Sequence, residues 1–242
     1  MRHYTLGPPI ETYGPNIRIT ALFVAAASVI WLIAFGIAHD TKDVTAWTIL
    51  FLVSALIGGA VLWQLSFHAA VHEAGVSCEN IFVTKEMRWY EVDRFYFGCH
   101  ELHAHYVPLG TFYSLKLRST HGQTLSFSNH IRRPEDFALL ISRYTIKPLL
   151  EKAQQNLQSG RNLSFGAVIL KPAEGLTLIK LLKDKKISWS EIESYTAGVS
   201  FLEIHLRQRL FSTHRVRAEK VANLHVLKAL LDSVMQKEWT RI

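Results

Sequence analysis

Residues 75–98 read GVSCENIFVTKEMRWYEVDRFYFG, and residues 175–198 read GLTLIKLLKDKKISWSEIESYTAG. One segment is written twice, 100 positions apart and without a gap. Gly75, Lys85, Trp89, Glu91 and Gly98 recur as Gly175, Lys185, Trp189, Glu191 and Gly198, and conservative pairs such as Met87/Ile187 and Phe95/Tyr195 fill the space between. Two of the 6 tryptophans fall on this offset, each followed by x-Glu-(Val/Ile), so chance is a poor explanation. A fixed-offset repeat means one supersecondary unit used twice. The chain reads as a duplicated module joined to an N-terminal segment outside the repeat.

That segment sets the compartment. Ile19–Ala38 is a run of 20 residues without a charge, and Val44–Phe67 is a second run of 24. At about 1.5 Å per residue the first is about 30 Å long, the thickness of a bilayer's hydrocarbon core. The expected membrane helices are 19–38 and 44–65, within a segment 19–67 that follows an N-terminal stretch 1–18. Only His39–Asp43 separates the runs, which forces an antiparallel hairpin. Trp47 and Trp63 lie near the ends of the second run, where amphipathic rings prefer the headgroup level. The polar lead-in to Arg18 and the second run both disagree with a signal peptide. Arg2 and Arg18 precede the hairpin and many basic residues follow it, while Lys42 sits between two aspartates in the loop. The positive-inside bias then places both termini in the cytoplasm of a cell's inner (plasma) membrane.

Charge is unevenly shared. Residues 158–242 hold 14 Lys/Arg against 8 Asp/Glu, so they carry 6 of the formal +7. A basic domain tethered beside an anionic leaflet has an obvious partner, the lipid surface. Nucleic acid, the other conventional reading of a basic domain, is not expected, because no recognition motif or interleaved aromatics accompany the basic residues. Cys78 and Cys99 show no CxxC spacing and are expected as free thiols.

Each copy, 66–157 and 158–242, reads as β-strands closed by one helix. Leu163–Lys171 is an apolar run, and Leu176–Leu182 with Lys186–Trp189 read as a strand pair. Leu202, Ile204 and Leu206 alternate with charged residues, the period of a half-buried strand. Val221, Leu224, Leu227, Leu231 and Val234 have helical spacing. In copy one Ser66–Glu73 is the expected first strand, and Phe112–Arg118 alternates well. Its helix opens at Pro134, favoured at a first helical position, and Pro148 is expected to kink or end it. Glu151–Arg161 is then the linker. Phe112, Leu115, Leu117 and Arg118 match Phe201, Ile204, Leu206 and Arg207 at an offset of 89, which gives copy one 11 extra residues around His100-Glu101-Leu102-His103-Ala104-His105.

Strands capped by a C-terminal helix, a Trp at the end of the third strand and then x-(Asp/Glu)-(Ile/Val) resemble the pleckstrin-homology (PH) superfold. Two spans followed by two such copies are similar to a bacterial membrane-protein family known only as a domain of unknown function. The motifs are Gly75…Trp89-Tyr90-Glu91-Val92, Gly175…Trp189-Ser190-Glu191-Ile192 and Asn223-Leu224-His225-Val226-Leu227. The resemblance implies a membrane-anchored α+β protein, a helical hairpin followed by two antiparallel β-barrel or sandwich domains. It implies no activity.

Trp89/Glu91 and Trp189/Glu191 read as structural, the tryptophan buried and the acid capping the following turn. His100, His103 and His105, with Glu101 and Cys99, form the one ligand-rich stretch, but zinc sites draw three or four ligands, usually from more than one element. No cofactor is expected. The basic set is the stronger functional candidate: Lys180, Lys183, Lys185 and Lys186 around one hairpin, with Arg207, Arg209, Arg215 and Arg217 on the parity opposite the buried leucines. Pro172-Ala173-Glu174 occupies the loop where a phosphoinositide pocket would need lysines. The expected function is a non-enzymatic membrane-anchored scaffold whose second domain binds anionic lipid or a protein partner. The opposing class is a metal-dependent enzyme or a metal or pH sensor built on His100–His105.

Overall fold

The computed structural model describes residues 6–41, 44–104, 107–180, 184–207 and 213–239. The chain divides into two compact units, Met1–Glu86 with Asn129–Arg133, and Met87–Ser128 with Pro134–Ile242. Copy two of the repeat lies wholly in the second unit, and copy one is divided between them.

In the first unit, strand β1 (Pro9–Tyr13) is followed by helices α1 (Ile17–Thr41) and α2 (Val44–Leu65), then β2 (His68–His72), β3 (Gly75–Glu79) and the start of β4 (Thr84–Arg88). The sheet is antiparallel in the order β1-β2-β3-β4. Both helices are long and apolar enough to cross a membrane, and only 11% and 6% of their apolar windows are buried, which is unlike the core helices of a soluble protein. Between them Trp31 Nε1 donates to Ser54 Oγ at 2.8 Å, and Phe35 meets the edge of Trp47 with ring centres 5.5 Å apart. That bond satisfies the indole N–H within the pair.

β1 was not expected from the sequence. It pairs with β2 from Tyr13↔Ala69 to Pro9↔His72, so part of the N-terminal stretch belongs to the first copy. Tyr13 is buried together with Ala69, Val71, Val76 and Ile131. Buried His72 ties the sheet down: Nδ1 donates to the Gly7 carbonyl at 2.8 Å and Nε2 meets Ser77 Oγ at 2.9 Å.

The second unit contains β5 (Val92–Ala104), β6 (Val107–Ser119), β7 (Thr124–Ser128) and α3 (Pro134–Gln158). Then come β8 (Leu163–Phe165), β9 (Val168–Lys171), β10 (Gly175–Leu178), β11 (Lys185–Ser188), β12 (Ile192–Ala197), β13 (Phe201–Leu206), β14 (Thr213–Arg217) and α4 (Leu224–Trp239). Its sheets run β5-β6-β7, β11-β10-β9-β8 and β12-β13-β14. The inward sides of the last two share one apolar core with α4, built on Leu170, Leu176, Ile187, Leu202, Ile204 and Leu227.

Three expectations need correction. Leu163–Lys171 is a two-strand hairpin instead of one strand: β8 turns at Gly166-Ala167 into β9, and Gly166 has φ +71°. Pro148 does not end α3, and most of the expected linker is helix. Leu149, Ala153 and Leu157, spaced four apart, press on the copy-two core. That burial outweighs the lost hydrogen bond of an internal proline, which costs about 3 kcal/mol. The repeat offset in the long hairpin is also different. Phe95 pairs with Leu117, and Tyr195 pairs with Ile204, so Leu117 corresponds to Ile204 at an offset of 87. Copy one then holds 13 extra residues, the difference between offsets of 100 and 87. A slip of two leaves every side chain on its own face, so alternation alone cannot detect it.

Candidate functional site

The repeated Trp-x-Glu segments are corners. Each forms a single 3-10 turn, at Trp89–Glu91 and at Trp189–Glu191. Glu91 Oε2 accepts the Arg88 N–H at 3.0 Å, and Glu191 Oε2 accepts the Ser188 N–H at 2.9 Å. The acids thus cap the turn that contains them, not the following one. Their carbonyls accept from Thr120 and Arg207, both at 2.8 Å, which joins each corner to the far end of its sheet. Trp89 is buried and stacks on Tyr144 of α3 at 5.2 Å, whereas Trp189 is half-buried and donates to the Pro172 carbonyl at 3.0 Å. Gly175 admits no side chain: its φ is +131°, and a Cβ would stand 2.1 Å from the Ile187 carbonyl oxygen. Gly75 opens the matching strand β3 and is buried.

The basic set is divided. Lys185 is opposite Leu178 and Lys186 opposite Thr177, so adjacent lysines leave the hairpin on opposite sides. Lys180 is exposed, and its N–H donates to Asp184 Oδ1 at 3.3 Å. Glu203 is opposite Arg215 and Phe201 opposite Arg217, which places both arginines on the outward side of β12-β13-β14, as their parity requires. Lys186 lies on the outward side of the other sheet, so the lysines and arginines do not share one sheet face. The arginines are also partly neutralised. Arg215 Nε is 2.6 Å from Glu203 Oε1 with its guanidinium over the Phe201 ring, and Arg217 Nη1 is 3.5 Å from Glu219 Oε1. Lys180, Lys185, Lys186 and Arg207 make no ion pair with a described residue. Lys183 and Arg209 lie outside the described residues.

The histidine stretch extends the β5–β6 hairpin, whose strands are 13 residues each against 6 each in β12 and β13. His100 Nδ1 is 3.6 Å from Glu219 Oε2, and its ring lies against Phe112. Cys99 meets Ser200 Oγ at 3.3 Å. Among the described residues no three His, Cys, Asp or Glu side chains converge on a metal position. The His103 side chain and His105 lie outside them. Both cysteines are free thiols, and burial pushes the Cys78 thiol up to about 11, with Lys85 opposing, which leaves it a poor nucleophile.

The copies are joined at Asn223. Asn223 has φ +50° and holds three bonds to β5: its Nδ2 donates to Asp93 O at 2.9 Å, its Oδ1 accepts the Phe95 N–H at 2.8 Å, and its own N–H donates to Phe95 O at 2.6 Å. Beside this clamp a cleft of about 300 Å³ opens between β5, α3, the β12–β13 turn and α4. At its edge Thr145 Oγ1 lies 3.4 Å from His225 Nε2, and burial lowers the His225 pKa to about 4. A smaller cleft of about 220 Å³, lined by Asp93, Arg94, Lys152, Asn156 and Asn162, contains the 2.9 Å Lys152–Asp93 pair. The only forewarning was Asn223–Leu227, singled out as a motif, whose role depends on a partner strand about 130 residues away.

A duplicated β-module joined by an asparagine clamp, with an apolar helix pair in the same chain, is the architecture to be matched with known proteins. The chain belongs to a family of unknown function, DUF6585. The family model matches residues 1–240, so the helix pair and both copies belong to one family unit. No curated protein matches the chain.

Proposed function

We propose that the chain is a non-enzymatic, membrane-anchored scaffold of two PH-like domains. In this reading α1 and α2 span the inner membrane of a bacterial cell as a hairpin, and both termini and both domains are cytoplasmic. The domains are residues 66–157, completed by β1, and residues 158–242. A four-stranded sheet, a three-stranded sheet and a closing helix, as in β8–β14 with α4, support the PH-like reading.

The observation that carries the proposal is the excess of 14 basic over 8 acidic residues in 158–242. Arg215 and Arg217 are engaged by Glu203 and Glu219, so the surface contact falls to Lys180, Lys183, Lys185, Lys186, Arg207 and Arg209. Each basic residue near an anionic leaflet contributes about 1 kcal/mol, and the attraction is screened over about 8 Å at physiological salt. The test uses the full chain in nanodiscs. Amine labelling of Lys180, Lys185 and Lys186 is expected to fall in phosphatidylglycerol discs relative to phosphatidylcholine discs, and to recover in high salt. Equal labelling in the two lipids removes the lipid-surface reading and leaves an acidic protein partner.

A further inference from the structure

The cleft at the join between the copies has the chemistry of a ligand site. Phe95 and Phe97 form one wall, and Leu139, Val199 and Leu224 others. Leu139 and Val199 stay 59% and 48% exposed at its rim, so the apolar lining continues to the mouth. The polar groups have little to offer a neutral polar ligand. Ser142 donates its hydroxyl proton to the Leu139 carbonyl at 2.8 Å, and His225 is largely buried against Phe95. Among the described residues one charged side chain lines the cleft, that of exposed Lys228, and no acidic one does. Asp232, one turn further along α4, accepts the Tyr195 hydroxyl instead.

We propose that this cleft binds the alkyl chain of a long-chain carboxylate, with the carboxylate held at Lys228. An apolar trough with one cation at its mouth matches an amphiphile with one anionic head. A volume of about 300 Å³ is at the lower end of the range for ligand pockets, which favours one chain over a two-chain lipid. The site belongs to neither copy alone, since β5 and α3 come from the first and the β12–β13 turn and α4 from the second. It is separate from the basic surface assigned above, and its test reads a different set of residues.

The experiment uses the full chain in phosphatidylcholine nanodiscs and a palmitic acid analogue carrying a photoreactive diazirine. Crosslinks are expected on residues 138–142, 197–199 and 224–228. Excess palmitate should remove them, and methyl palmitate, which lacks the charge, should not. Ser142→Trp, which fills the trough from a half-buried helix position, should lower the yield there at least tenfold. Lys228→Glu should do the same, and Lys228→Arg should restore it. A thermal melt of each variant reports folding, and Leu139→Asp replaces Ser142→Trp if that variant is destabilised. Crosslinks confined to residues 17–65, competition by the methyl ester equal to that by the acid, or unchanged yield in Lys228→Glu would overturn the proposal.

Discussion

The two copies of the repeat differ most where their first strands turn. In copy two, β8 reaches β9 through Gly166-Ala167. In copy one, the same connection holds 51 residues, 17–67, which include both apolar helices. The backbone around the two turns is otherwise alike. Arg132 N–H donates to Gly14 O, as Ala222 N–H does to Phe165 O. Asn16 N–H donates to His130 O, as Ala167 N–H does to Lys220 O, and the bridge Pro15↔Ile131 repeats as Gly166↔Val221. The helix pair is therefore an insertion into a turn of the first copy, and it leaves the strand register undisturbed. Exposed turns tolerate such insertions because lengthening a closed loop costs little entropy and disturbs no buried backbone.

The copies also differ at their corner tryptophans, and the largest expected effect is there. Trp89→Ala should cost about 3–5 kcal/mol, the range for large aromatics removed from a core, while half-buried Trp189→Ala should cost visibly less. Denaturant midpoints of the two variants decide this, and equal losses would erase the asymmetry.

Next is the left-handed residue before each closing helix, Arg133 at φ 54° and Asn223 at φ 50°. Arg133 pairs with Glu11 at 3.0 Å near the surface, whereas Asn223 clamps β5. Asn223→Ala should cost about 2–3 kcal/mol through unpaired backbone groups and a strained Cβ, with Asn223→Gly recovering only the backbone part. Arg133→Gly, which keeps the left-handed backbone, should cost under about 1 kcal/mol as an exposed pair is lost. Thermal melts would contradict this account if the two positions proved equally sensitive.

The smallest effect at neutral pH comes from two half-buried histidines. Burial lowers His130 and His225 from about 6.5 to about 4, so the unfolded chain binds protons that the native state refuses between those values. Stability is complete above about pH 6.5 and is lost as pH falls toward 4, by up to about 3 kcal/mol for each group before solvent screening. His225→Phe should flatten the melting temperature in that window, and an unchanged slope would show that the ring is solvated.

Some of this was legible and some was not, for physical reasons. The 100-residue offset, the apolar runs and the Trp-x-Glu corners are local patterns, and they mark β3–β5, β10–β12, α1 and α2 closely. The helices run from Ile17 and Val44, against expected starts at 19 and 44. β1 was illegible because five residues carry too little periodicity, and the insertion removes its constant offset. The helix continues past Pro148 because Leu149 and Ala153 are held against the other copy's core, a contact that local propensity does not encode. Lysines that looked like one patch divide because Lys185 and Lys186 are neighbours on a strand. The cleft needed both copies in place.

The most direct test of the insertion is to delete residues 17–67 and replace Pro15-Asn16 with Gly-Ala, the turn of copy two. Hydrogen exchange on the detergent-free protein should show the β1 amides of Glu11 and Tyr13 protected and cooperative unfolding retained. An aggregated product, or a β1 that exchanges freely while β8 stays protected, would contradict the account.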